Sequence, residues 1–148
     1  MARVKLEMPD KYIFACEMRV RVTDLNYGEH VGNDTILSYA HEARMQFLAS
    51  YGFDEGNCMG PGLIMADAIV QYKAELFYGM TIKIYIQAGD FFSRGFDLFY
   101  LLVNKENNAE LARIKTGMVF FDYKTRKTAT APAQLQEFWH NKPNLFHV

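Results

Sequence analysis

Between segments that alternate apolar and polar residues, the chain carries one long segment of helical period, residues 34–51. There Ile36, Leu37, Ala40, Ala43, Phe47, Leu48 and Tyr51 recur every three to four positions and make one apolar stripe. Such a stripe reads as a single amphipathic helix, and Gly52 follows it as a C-terminal cap. Upstream, Phe14, Cys16, Met18, Val20 and Val22 share one parity across residues 13–22, the pattern of a half-buried strand. Downstream, residues 63–77, 81–89, 95–103 and 109–122 read as four more strands. The first of these keeps Ile64, Ala66, Ala68, Val70, Tyr72, Ala74 and Leu76 on one side. Residues 95–103 are apolar on both sides, which predicts a strand covered on both faces. Short turns, such as 104–108, imply antiparallel pairing. Residues 52–62 read as a turn-rich loop, and Pro132 opens a short helix over 133–140. A helix with one apolar stripe must bury it against the sheet. The prediction is an α+β fold in one domain, 1–148: a curved antiparallel β-sheet wrapped around one long central α-helix.

Bulk properties narrow the function. Half of the 148 residues are apolar, enough to bury a core. A net charge of −1 argues against nonspecific nucleic-acid binding, which needs a basic face. No apolar run reaches the length of a membrane span, and the first ten residues lack the apolar core of a signal peptide. Cys16 and Cys58 have no metal-ligand spacing, and neither do His30, His41, His140 and His147, so no metal site is expected. Two cysteines of this kind fit a reducing cytoplasm, with a bridge between them left open.

The polar stretch at residues 22–33, Val-Thr-Asp-Leu-Asn-Tyr-Gly-Glu-His-Val-Gly-Asn, sits between the first strand and the helix. It sets Asp24, Asn26, Glu29 and His30 just before a helix N-terminus, where unpaired N–H groups suit a developing oxyanion. It also reads as a plain polar loop, with Asn33 or Asp34 capping the helix.

These residues, together with residues 39–44 (Tyr-Ala-His-Glu-Ala-Arg), resemble the 4-hydroxybenzoyl-CoA thioesterase family of hotdog proteins. The resemblance spans roughly residues 12–138. That family commonly shows Asp-x-Asp, then Gly-His-Val-Asn-Asn, then a helix carrying Glu-x-Ala-Arg. Residues 72–80 are similar to its tyrosine-to-Gly-Asp turn, and residues 132–138 to its closing Pro-x-x-Leu tail. The resemblance implies a hotdog fold and acyl-CoA thioester hydrolysis. No cofactor is implied beyond the CoA of the substrate. The partners implied are an acyl-CoA or acyl-carrier-protein thioester and further copies of the chain, as homodimer or homotetramer. Two departures stand out: the family's catalytic Asp falls on Asn26, and Met80 replaces the Asp of Gly-Asp. Plant acyl-carrier-protein thioesterases share the pattern. In their register Asn26 again falls on an Asp, His30 on the His, and a proposed helix glutamate on Glu42.

Asn26, His30 and Glu42 are the catalytic candidates. Asn26 is neutral and can hold a water or a carbonyl oxygen, or close an Asx turn. His30 can move a proton, or donate an N–H to a backbone carbonyl and pack the helix start. Glu42 is the carboxylate in the middle of the helix, close to opposite the apolar stripe, so it reads as solvated or as facing a cleft. Asp24 and Glu29 are substitute carboxylates. Arg44 reads as structural, and Asp67 as surface or interface. Val31, Gly32 and Asn33 supply backbone N–H groups for the thioester oxygen, and Tyr39 lines the acyl channel. Tyr85, Phe91, Phe92 and Phe99 form an exposed aromatic load for subunit contacts. Two other readings fit the sequence. One is a non-catalytic acyl-thioester-binding protein that has Asn26 in place of the Asp. The other is an enoyl-thioester hydratase, whose Asp-x-Asn-Pro-x-His signature is approached by Asp24, Asn26 and His30 without the Pro and with one residue too many.

Overall fold

The computed structural model describes residues 3–148. The elements are β1 (Lys11–Tyr12), β2 (Phe14–Arg19), α1 (Asn33–Ser50), β3 (Gly62–Tyr72), β4 (Thr81–Phe92), β5 (Gly95–Asn104), β6 (Glu110–Asp122), β7 (Lys127–Thr128), α2 (Leu135–His140) and β8 (Phe146–His147). The main sheet is antiparallel in the order β2-β4-β5-β6-β3, with β7 added to β6. It curves as a half-barrel around α1, the predicted hotdog arrangement. Among the described residues, no helix is long and apolar enough to cross a membrane.

The apolar stripe of α1 does what its period requires. Ile36, Ala40, Ala43, Phe47 and Leu48 are buried in one core with Leu63, Ile82, Ile84, Ile86, Phe96, Leu98, Met118 and Phe120. The helix closes through Gly52 at φ 78, with the Gly52 N–H on Ala49 O and the Phe53 N–H on Leu48 O. Only glycine takes that φ without strain, so the predicted cap holds. At the other end the cap is Gly32, with no side-chain hydrogen bond, rather than Asn33 or Asp34. Asn33 already has helical backbone, so its amide no longer faces the orphan N–H groups.

Three expectations are corrected. The first strand stops at Arg19, and Val22 is 68% exposed because the chain leaves the sheet in a 3-10 turn, Val22–Asp24. The single parity of 63–77 fails at a bulge between Met65 and Asp67, which brings Leu63 and Val70 to the same core despite opposite parity. That strand ends at Tyr72, and 73–77 form a loop. Finally, the aromatic load is not all exposed. Tyr85 is buried under Tyr12 and Phe146, where β1 and β8 pair across the outer face of the sheet. Phe91 stacks on Phe96, and only Phe92 of the four is strongly exposed. The same covering of Leu101 and Val103 accounts for the two-sided apolar pattern of β5. Cys16 and Cys58 are free thiols, Cys58 buried and pushed up to about 12 by that burial.

Candidate active site

The polar motif is built as two nested turns. Val20 exchanges hydrogen bonds with the loop before β4, its N–H on Met80 O and its carbonyl accepting from Gly79 N–H. The chain then turns over Asp24, which is only 6% exposed. Asp24 Oδ2 accepts the Arg21 N–H at 2.9 Å and the Tyr39 hydroxyl at 2.8 Å, and Oδ1 meets Arg21 Nη2 at 3.2 Å. Burial alone would raise this carboxyl, but the Arg21 N–H, the Tyr39 hydroxyl and the Arg21 guanidinium outweigh it and hold it below the usual range. Tyr39 is driven the other way, by burial first and by Asp24 second, and stays a neutral donor. Tyr39 is therefore anchored to the motif as well as lining a groove.

The second turn spans residues 26–30. The Asn26 N–H donates to His30 O at 2.9 Å, and Asn26 Oδ1 accepts the Gly28 N–H at 2.8 Å, an Asx turn. A Cβ on Gly28 would stand 3.1 Å from Asn26 Oδ1 and 3.3 Å from His30 Nε2, so both side chains lean over this glycine. Glu29 takes φ 64. The left-handed conformation costs a residue with a Cβ about 1–2 kcal/mol, and glycine's own flexibility returns part of that. Glu29→Gly is expected to raise stability by about 0.5–1 kcal/mol, while Glu29→Ala gains nothing. Urea-denaturation midpoints of the two variants check this.

His30 Nδ1 lies 3.1 Å from Val31 O. A carbonyl only accepts, so this contact puts the hydrogen on Nδ1 and leaves the Nε2 lone pair outward. Nε2 is 3.9 Å from Glu75 Oε1. At the helix start, the Val31 N–H is committed to Leu76 O at 2.9 Å, and the Gly32 N–H to Asp24 O at 3.3 Å. Among the described residues, the Asn33 N–H has no acceptor. Tyr72 fixes that peptide from the side, its hydroxyl donating to Asn33 O at 2.9 Å. Of the three predicted oxyanion donors, only Asn33 is free.

Two grooves flank the start of α1. One, of about 360 Å³, is lined by His30, Val31, Asn33, Ile36, Glu75 and Leu76, with Tyr72 at its side. The other, of about 430 Å³, lies toward β2 and holds Arg19, Arg21, Asp24, Tyr39 and Glu42. The structure therefore brings His30, Val31 and Asn33 together and places Glu42 in the other groove. Asn26 leans toward His30 from the turn. Glu75 was missed by the sequence reading, which took 63–77 as one strand.

Comparison with known proteins decides the family. The sequence profile of the thioesterase-like superfamily matches residues 20–139. The chain belongs to that superfamily. Thioester hydrolysis is the activity that comes with this membership. No curated protein sequence matches the chain. Among solved structures, a 1,4-dihydroxy-2-naphthoyl-CoA thioesterase from Synechocystis superposes with TM-score 0.76 at 23% identity, over 86% of this chain and 96% of that one. A putative thioesterase from Pseudomonas aeruginosa gives 0.77 at 17%, over 86% and 98%. The gentisyl-coenzyme A thioesterase BH1999 gives 0.73 at 18%, over 83% and 99%. At these identities the likeness carries the fold. The polar motif at residues 22–33 and the long helix α1 both lie within the part matched by the superfamily profile.

Proposed function

We propose that this protein hydrolyses acyl-CoA thioesters, with the thioester carbonyl in the His30 groove. The observation that carries this is the unpaired Asn33 N–H at the first turn of α1, within the groove His30 lines. A helix N-terminus with a free donor stabilises the oxyanion of a tetrahedral intermediate. Val31, Ile36 and Leu76 give the acyl group an apolar wall. His30 and Asn26 position the attacking water. The CoA enters as part of the substrate, and no further cofactor is needed for this chemistry. Two of the solved neighbours are named for CoA thioesters, which favours CoA over a carrier protein. The free edge of β3, paired on one side only, is the surface through which a homodimer would extend the sheet. A tetramer would need a further face. The free thiols suit a cytoplasmic location.

The test is release of free thiol from a panel of aliphatic and aromatic acyl-CoAs by wild type, Asn26→Asp and Glu42→Ala. Turnover by wild type is expected, and Glu42→Ala separates the two grooves. Retained activity keeps the thioester at His30; activity lost by orders of magnitude moves it to the β2 side. One observation favours a binding-only reading: Asn26 Oδ1 is already occupied by Gly28. That reading requires an inactive wild type that binds acyl-CoA, with activity appearing in Asn26→Asp.

A further inference from the structure

Hydrolysis needs a group that accepts the proton of the attacking water, and residue 26 is an amide that cannot. The nearby carboxylates are occupied or misplaced. Asp24 is buried and bonded to Arg21 and Tyr39. Asp34 folds back on the helix start, where a Cβ on Gly32 would fall 2.7 Å from its Oδ1. Glu42 lies in the groove toward β2. Glu75 is the one carboxylate among the residues lining the groove that holds His30 and Asn33.

We propose that Glu75 is the general base of the hydrolysis, taking over from the carboxylate the motif lacks at Asn26; this rests on the thioesterase reading above. The backbone sets the arrangement. The Val31 N–H to Leu76 O bond ties the loop after β3 to the helix start, so Glu75 is held beside His30. The 3.9 Å between Glu75 Oε1 and His30 Nε2 is too long for a direct hydrogen bond, and a small rotation of the Glu75 side chain, 63% exposed, opens it to the roughly 4.5 Å that one water donating a hydrogen to each would span. That water keeps a lone pair for attack. His30 accepts through Nε2 because its Nδ1 hydrogen is committed to Val31 O.

In the step, the water oxygen bonds to the thioester carbon while its proton passes to the Glu75 carboxylate. The carbonyl π pair moves onto oxygen, facing the Asn33 N–H. When that pair returns, the carbon–sulfur bond breaks. The leaving thiolate takes the proton back from Glu75, giving free thiol and a carboxylic acid. Nothing is oxidised or reduced, and Glu75 ends as it began.

Steady-state hydrolysis by the full chain is measured for wild type, Glu75→Gln and Glu75→Asp, with thermal unfolding of each. Among the described residues Glu75 makes no hydrogen bond, so Glu75→Gln is expected to unfold at the wild-type temperature. It should lower kcat by about 100-fold or more with KM unchanged, the range of a lost general base. Glu75→Asp should recover part of that loss. Wild type active with Glu75→Gln within about threefold of it overturns the Glu75 assignment and leaves the thioesterase reading standing. A raised KM at unchanged kcat also overturns it, since Glu75 would then only bind. An inactive wild type overturns both.

Discussion

Asp24→Ala is expected to cost about 3 kcal/mol of folding stability. The loss is local and specific. The substitution strands the Tyr39 hydroxyl in the interior, where an unmet donor costs about 1–3 kcal/mol. It also removes the acceptor of the Arg21 N–H, the bond that starts the turn over Asp24. The Arg21 guanidinium contributes little, because its side chain is 73% exposed and solvent screens the pair. The pH dependence has a definite sign. The Asp24 carboxyl is held below its ordinary value in the folded protein, so the unfolded chain takes up this proton at higher pH than the folded one. Its stabilising contribution is complete above the ordinary carboxyl value of about 4 and disappears as pH falls through the folded value. Urea titrations of wild type and Asp24→Ala should therefore show a full gap at pH 7 that narrows below about pH 4. A gap that stays constant to low pH would mean the carboxylate is not what holds the turn.

The part of the fold legible in the sequence is the part set by side-chain period. The α1 stripe, the alternation of β2, β4 and β6, and the two-sided apolar run of β5 each follow from which face must be dry. The bulge in β3 was not legible, because Met65, Ala66 and Asp67 include no glycine or proline to mark it. Which segments cover β5, and the burial of Tyr85 beneath them, were not legible either. Both depend on chain ends that meet only after the sheet exists.

The site divides in the same way. Asp24, Asn26 and His30 lie within a few residues, and their hydrogen bonds are local turns of the kind that Asp and Asn produce. Glu75 joins them through a backbone bond between residues distant in sequence, Val31 and Leu76. Reading the strand only as far as Tyr72 would have left Glu75 in a loop facing the helix start. That was the one signal available. The division of the helix start into two grooves, with Glu42 on one side and His30 on the other, follows from how the loop after β3 packs.

Trp139→Ala is expected to cost about 3–5 kcal/mol, while Trp139→Phe costs about 1 kcal/mol or less. Trp139 is 2% exposed and stacks on Phe47 of α1 at 5.0 Å between ring centroids. Tyr51 meets it edge-on at 5.1 Å, Phe138 at 4.9 Å, and Phe53 and Phe96 complete its surroundings. With Leu135 buried in the same core and Phe138 against Tyr51 and Phe53, this ring seats α2 over the C-terminal half of α1. Truncation to alanine leaves a cavity among aromatic rings that cannot collapse into it, so both the transfer term and the cavity term are lost. Phenylalanine keeps most of the stacking. It also removes an indole Nε1–H that is buried with no partner among the described residues, and deleting an unmet donor offsets part of the lost area. The contrast between the two variants is therefore the measurement, read as thermal midpoints and urea midpoints of the full chain. Equal losses would show that the indole nitrogen is satisfied in solution and that its bond, rather than the stacked ring, seats α2.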